Sequence, residues 1–302
     1  MNLGNEPLWA IEFYKLYESR NIEDIKKRLF EISDVLIYLH EILAERKVDL
    51  PEKDIYSEQL VIKLHLQNLS LLDLSKGHSI SSRFYDNKSS DIKFLDLSSI
   101  ITIVRSQYET LLMYQHLYVN PEDENEQKLR YESWIMSSMM LRSKVFSQSK
   151  FINNERVKSE QDAIERLKNN ISNNEFFQKL TEKQQRSLLE NGSGKLFKNW
   201  DTIFSESKFS DAGVFSKLYY NASVYAHSEG LVVLQLKETK HLMEHEHMKE
   251  TLYLMLFYSY LMTSIMIKNI VNKYPLVKER YDSLDEKTKF EIDFNYQLSF
   301  KS

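Results

Sequence analysis

Apolar residues recur along this chain at helical spacing, and the clearest example lies near the N-terminus. Between residues 22 and 43 they stand alternately three and four positions apart, as on the buried face of one helix. Asn21 precedes this stripe and suits a helix N-cap. The pattern predicts a helix that packs into a bundle, with a dimer seam as the alternative. The stripe consists of Ile22, Ile25, Leu29, Ile32, Leu36, Leu39 and Leu43.

The rest of the chain shows similar periodicity, interrupted at a few glycine and proline residues. Gly77 and Pro121 mark natural helix ends, because glycine favours a helix C-terminus and proline disfavours a helical residue before it. Between them we expect a polar loop over residues 77–90 and then one long helix. The predicted helices span about 57–75, 91–119 and 237–273, with others beginning at 121 and ending near Gly230.

The amino-acid composition supports a helical fold. Six glycines and four prolines in 302 residues leave few sites for β-turns, whereas 42% hydrophobic residues suffice for a large core. We therefore expect an all-α protein, a multi-helix bundle of about eight to ten helices in a single domain over residues 1–302. Residues 150–199 are rich in charged, Asn and Gln side chains, and we interpret them as a polar helical excursion within that domain.

Charge and cysteine content narrow the function classes. With 40 basic and 44 acidic residues the net charge is −4, which argues against a broad phosphate-binding surface but leaves room for a local basic groove. The absence of cysteine excludes disulfides, thiolate catalysis and cysteine-based metal sites. No signal-peptide pattern opens the sequence, so we expect a cytoplasmic protein, and no motif predicts a cofactor.

One segment is apolar enough to require a membrane test. Residues 251–267 contain no charged residue and lie between Glu250 and Lys268. Their length of 17 residues is at the lower limit for a spanning helix, and several Tyr, Ser and Thr side chains make them only moderately apolar. We predict a central buried helix, with membrane contact as the less favoured alternative.

Two charged residues mark the first candidate site. Arg105 and Glu109 are the only formally charged side chains between Asp96 and Glu122. They stand four apart on the predicted helix, and charges on an apolar helix need partners. One hypothesis is a buried ion pair that fixes helix register; the other is a cationic anchor for an anionic ligand beside an acid/base carboxylate. His116 lies seven residues beyond Glu109 on about the same face and would extend the set.

A second stretch carries the complementary polar groups. Tyr219, Ser223 and His227 are spaced four residues apart, so all three share one helix face. His227 is the best acid/base candidate, because an unperturbed histidine has a pKa near 6.5. A Ser–His pair alone is not a triad, since an orienting acid and an oxyanion hole are also needed. We expect this stretch to face Arg105 and Glu109 across a helix interface.

Three other motifs are interpreted as structural. The first is a His-rich segment over residues 241–247. A ferritin-like metal site needs two Glu-x-x-His helices, and this segment supplies only one. We therefore prefer a solvated helix start over a metal site and predict no metal. The glycine loop lacks the earlier glycine and the Ser/Thr of a phosphate loop. Met and Trp at helical spacing are expected to fill a core. The motifs are His241, Glu244, His245 and His247; Gly192–Lys195; and Trp134, Met136, Met139 and Met140.

The two polar stretches resemble an uncharacterised bacterial family of all-helical proteins, a domain of unknown function. That family is similar to HEPN-type domains (higher eukaryotes and prokaryotes nucleotide-binding) and to abortive-infection proteins. Residues 104–109 resemble its Arg-x-x-x-Glu helix, and residues 219–227 resemble its Tyr…Ser-x-x-x-His helix. The resemblance also includes Arg130, Trp134 and Trp200, and it spans about residues 92–230.

The resemblance implies a metal-independent ribonuclease as one function. HEPN ribonucleases carry Arg, four to six residues and then His on one helix, usually doubled across a dimer. Here Asn221 stands six residues before His227 and the nearest basic residue is Lys217, so Arg105 would have to act from a neighbouring helix.

Two function hypotheses follow. The first is a HEPN-like effector in stress or phage defence that acts on RNA or a nucleotide. In it Arg105 contacts phosphate, His227 is the acid/base, and Glu109, Ser223 and Tyr219 position them. The second is a non-enzymatic helical module that binds a partner protein or small ligand, with the same residues as a structural network. In both cases we expect a homodimer or a protein partner.

Overall fold

The computed structural model describes residues 8–46, 48–79, 93–146, 154–207, 219–220, 222–223 and 246–300. The all-α prediction is confirmed: the described ranges contain twelve α-helices, a 3₁₀ turn at Glu52–Asp54 and one pair of two-residue strands. The count exceeds the expected eight to ten because the set includes helices as short as four and seven residues. Such short helices are too brief to show a helical period in the sequence.

The helices follow one another with short connections. In chain order they are α1 (Leu8–Ser19), α2 (Ile22–Glu45), α3 (Ser57–Leu74), α4 (Leu97–Tyr118), α5 (Glu124–Phe146), α6 (Asn154–Ser172), α7 (Glu175–Gln178), α8 (Glu182–Asn191), α9 (Trp200–Glu206), α10 (Glu246–Lys273), α11 (Pro275–Asp282) and α12 (Glu286–Ser299). The strands β1 (His78–Ser79) and β2 (Lys93–Phe94) pair antiparallel between α3 and α4.

The chain divides into two compact units. Unit 1 comprises the described residues of 1–49, 58–111 and 208–302, and unit 2 comprises those of 50–57 and 112–207. Helix α4 therefore begins in unit 1 and ends in unit 2.

Helix α2 organises unit 1. Its N-cap is Asn21, as predicted: the side-chain oxygen accepts hydrogen bonds from the backbone N–H groups of Glu23 at 2.9 Å and Asp24 at 3.2 Å. The helix packs against α10 and α11. Six of the seven stripe residues are buried within the chain, as the bundle interpretation predicts. They are Ile25, Leu29, Ile32, Leu36, Leu39 and Leu43.

Helix α4 begins later than predicted, at Leu97 instead of residue 91. Residues Lys93 and Phe94 form β2, and Asp96 then caps the helix by accepting a hydrogen bond from the Ser99 backbone N–H at 2.9 Å. The helix ends at Tyr118, three residues before Pro121, close to the predicted end.

Helix α10 lies at the centre of unit 1 and packs against α2, α11 and α12. Its segment Met248–Lys273 is long and apolar enough, by length and composition, to cross a membrane, and 78% of its most apolar stretch is buried inside the protein. Among the described residues no other helix passes that test. The C-terminal segment beyond Pro275 forms α11 and α12, which bury Val277, Tyr281 and Ile292.

A buried polar network joins four helices of unit 1, and periodicity gave no sign of it. The Asn68 amide donates to the hydroxyls of Ser33 at 3.0 Å and Thr263 at 2.9 Å, and its oxygen accepts from the Gln107 amide at 2.6 Å. The Ser259 hydroxyl in turn donates to the Gln107 oxygen. All five residues are fully buried, so these bonds satisfy groups that water cannot reach.

The core of unit 2 is built by α5 to α8. The predicted core role of Met136 is confirmed, since it is fully buried, and Met139 and Met140 pack against the same cluster. Residues 150–199 belong to this unit and supply much of its core: Ile164, Ile171, Phe177 and Leu188.

The glycine loop after α8 is a structural turn. Gly192 closes the helix with φ of +73°, a conformation that side chains disfavour. A Cβ at this position would also lie 3.0 Å from the Ser137 Cα, which is closer than most Cβ contacts in proteins. A helix precedes the loop where a phosphate loop has a strand, and the Lys195 ammonium lies 4.1 Å from the centre of the Trp200 ring.

Candidate functional site

Three of the five predicted site residues meet in unit 1. The Arg105 Nε donates to the Glu109 carboxylate at 3.2 Å, and Nη2 donates to the Tyr219 hydroxyl at 3.2 Å. The Tyr219 hydroxyl donates in turn to the same Glu109 oxygen, also at 3.2 Å. The guanidinium carbon lies 4.8 Å from the centre of the Tyr219 ring. We call these three residues the Arg105 cluster.

The Arg105 cluster is partly open to solvent. The side chains of Arg105 and Glu109 are 22% and 31% exposed, so the predicted pair is not in a dry core. Burial opposes the arginine charge, but the hydrogen bonds and charges of Tyr219 and Glu109 outweigh it, and the pKa of Arg105 is raised. Burial also raises the pKa of Tyr219, so its hydroxyl stays protonated at neutral pH and can donate to Glu109.

The guanidinium keeps donors in reserve. Arginine carries five N–H donors, and Nε and Nη2 use two of them on Glu109 and Tyr219. Among the residues that the structure describes, no partner is recorded for the other three. A planar, permanently charged fork with unused donors is suited to a carboxylate or phosphate group.

Ser223 is linked to the Arg105 cluster through the backbone of Tyr219. Tyr219 and Ser223 are both helical, and the Ser223 hydroxyl donates to the Tyr219 backbone carbonyl at 2.9 Å. The hydroxyl thus donates within its own helical turn, and no hydrogen bond among the described residues joins it to Arg105 or Glu109. The centre of the Tyr108 ring lies 5.9 Å from the centre of the Tyr219 ring. His227, the predicted acid/base, lies outside the described residues.

His116 has a different partner from the one expected. Its backbone carbonyl and Nδ1 accept hydrogen bonds from the Arg130 Nη1 at 2.9 and 3.1 Å. Nε and Nη2 of Arg130 both donate to Glu126, at 3.1 and 2.6 Å. The expectation that His116 extends the Arg105–Glu109 pair is therefore corrected: helix spacing gives the face but not which neighbour meets it.

The surroundings of His116 keep it neutral. Burial, followed by the charges of Arg130, Lys198 and Lys195, lowers its pKa to about 3. The imidazole therefore stays neutral near pH 7 and is unsuited to act as a general base. Its Nδ1 serves as a hydrogen-bond acceptor. Arg130 is only 3% exposed. We interpret this second cluster as structural, because its cation is enclosed and occupied.

The His-rich segment that was considered for metal binding lies mostly outside the described residues. His241, Glu244 and His245 lie outside the described residues, and of His247 only the backbone, in α10, is described. Within the described ranges, no group of three or more His, Asp or Glu side chains is arranged to hold a metal ion.

Comparisons with protein-family models, curated proteins and solved structures find no match to this chain.

Proposed function

We propose that the protein is a HEPN-like helical effector that acts on RNA or a nucleotide in stress or phage defence. The observation that carries the proposal is the Arg105 guanidinium, which is oriented by Glu109 and Tyr219 while remaining partly exposed with unused donors. Such a preorganised fork can contact a phosphate oxygen without first paying the entropy of ordering a free side chain.

Each residue has a defined role in this proposal. Arg105 binds phosphate, and Glu109 and Tyr219 are positioning residues that hold the guanidinium in place. Ser223 steadies the helical turn that carries Tyr219. His227, four residues further along the sequence, acts as the acid/base, taking a proton from the attacking hydroxyl and returning one to the leaving oxygen. A homodimer would double the site, as the family resemblance implies.

One observation favours the alternative, a non-enzymatic interaction module. The described hydrogen bonds of the Arg105, Glu109 and Tyr219 side chains join these three side chains to one another. A closed triangle of this kind is also what a register-fixing structural network requires. In that case removal of Arg105 would lower stability and no activity would be lost.

Expression and RNA assays with His227→Ala test the proposed activity. We expect wild-type protein to slow bacterial growth and to cut single-stranded RNA without added metal. Loss of a general acid/base should lower the cleavage rate by roughly 100-fold or more. His78→Ala, which removes an exposed histidine of β1, is the matched control and should leave cleavage unchanged.

Two outcomes would count against the enzymatic role. If the wild-type protein neither slows growth nor cuts RNA, the enzymatic role is contradicted. Equal cleavage by wild type and His227→Ala would show that any nuclease activity comes from another group.

A further inference from the structure

A charged cleft of about 350 Å³ opens between α1, α2 and α12 of unit 1. Apart from Ser19, every side chain that lines it is ionisable. Its volume falls in the range of small-molecule sites, about 300–1,000 Å³. The cleft shares no residue with the Arg105 cluster. Its cationic side chains are Lys15, Lys27, Arg28 and Lys287.

Arg28 is held in place from inside the protein. Its Nη1 donates to the carboxylate of Glu291, whose other oxygen accepts from the Tyr260 hydroxyl at 3.1 Å. The guanidinium carbon also lies 5.5 Å from the centre of the Phe13 ring. With 15% of its side chain exposed, Arg28 is fixed in one orientation at the edge of the cleft. Among the described residues, Glu291 is the only hydrogen-bond partner of the Arg28 guanidinium, so its other N–H donors are unused.

The cleft is positive in a protein that is negative overall. Four cationic side chains and two carboxylates line the cleft, and Arg28 is also paired with Glu291, so the formal excess is one positive charge, whereas the whole chain carries −4. Lys27 stands 3.8 Å from Glu31, but Lys15 and Lys287 have no ion pair within the described part of the chain. Two lysines without an ion pair, beside an arginine held in a fixed orientation, favour an anionic ligand in this cleft.

The acidic residues limit what that anion can be. Asp24 and Glu31 line the same cleft, on the face of α2 that also carries Lys27 and Arg28. A nucleic-acid strand would bring phosphates along the whole groove and against both carboxylates. A compact ligand with one phosphate can instead place its hydroxyl groups against the acids, because an ionised carboxylate only accepts hydrogen bonds.

We propose that this cleft binds a small phosphorylated molecule. Its phosphate lies against Arg28 and the three lysines, and its hydroxyl groups donate to Asp24 and Glu31. The cleft is thus a ligand site separate from the Arg105 cluster, and the two sites can be tested independently.

Calorimetric titration of the full chain tests this assignment with ribose 5-phosphate, inorganic phosphate and ribose. We expect saturable binding of ribose 5-phosphate, weaker binding of inorganic phosphate and none of ribose. The double variant Lys15→Gln/Lys287→Gln should weaken ribose 5-phosphate binding at least tenfold. Both lysines are exposed, so the fold should be retained, which the melting temperature checks. Lys63→Gln, an exposed lysine of α3, is the matched control.

The proposal fails if wild-type protein shows no saturable binding of ribose 5-phosphate at millimolar concentration. It also fails if the double variant binds as tightly as wild type. Displacement of ribose 5-phosphate by a single-stranded RNA of higher affinity would overturn the assignment to a compact ligand. Arg105→Gln should leave this binding intact, which separates the outcome from that of the proposed function.

Discussion

Replacing Arg130 by methionine is expected to lower the free energy of unfolding by about 3–5 kcal/mol. Arg130 is 3% exposed and donates to Glu126 and to both acceptors of His116. Methionine fills similar space but donates no hydrogen bond. It would leave the Glu126 charge and the buried His116 carbonyl without this partner, and unpaired buried polar groups are costly. Urea denaturation followed by Trp fluorescence measures the change.

Arg142→Met is the matched control, because it lies on the same helix. Arg142 also pairs with a carboxylate, Glu160, but its side chain is 41% exposed. Exposed pairs contribute about 0–1 kcal/mol, so this variant should unfold close to wild type. Equal small effects of the two substitutions would contradict the structural role assigned to the buried Arg130 cluster.

Replacing Asn68 by alanine is expected to lower the free energy of unfolding by about 3 kcal/mol or more. Asn68 makes three hydrogen bonds at the centre of unit 1, to Ser33, Thr263 and Gln107. Alanine would leave the fully buried Gln107 amide short of an acceptor and would open a cavity. Thermal and urea unfolding both report the loss.

Lys63→Ala provides the comparison on the same helix. Lys63 is exposed, so the change should stay within about 0.5 kcal/mol of wild type. If Asn68→Ala also stays within that range, the buried polar network does not contribute measurably to the stability of unit 1.

The elements that sequence alone predicted depend on local spacing. The stripe from Ile25 to Leu43, the Asn21 cap and the end of α4 before Pro121 are all set by residues close in the chain. The meeting of Arg105 with Glu109 follows from the same rule, since residues four apart on a helix are neighbours. The contact with Tyr219 was inferred from the need of charges for partners, and it is present.

What the sequence could not supply are pairings between distant residues. Asn68 and Thr263 belong to different helices, and no periodicity marks a polar residue that faces inward to meet another. Arg28 and Glu291 stand 263 positions apart, so the anchored arginine of the cleft has no local signal. His116 illustrates the limit, because its helix face was predicted but its partner Arg130 comes from the following helix.

The most direct test of the account is RNA binding by Arg105→Gln, measured by fluorescence anisotropy with a labelled single-stranded oligonucleotide. Because the Arg105–Glu109 pair is partly exposed, the variant should lose about 1 kcal/mol of stability or less. Arg280→Gln is the control, since that guanidinium pairs with Glu45 and also lies 4.8 Å from a tyrosine ring centre. We expect the Kd for RNA to rise at least tenfold in Arg105→Gln and to stay unchanged in Arg280→Gln. An unchanged Kd in Arg105→Gln, together with a sharp fall in its melting temperature, would contradict the proposed function and assign the Arg105 cluster to structure.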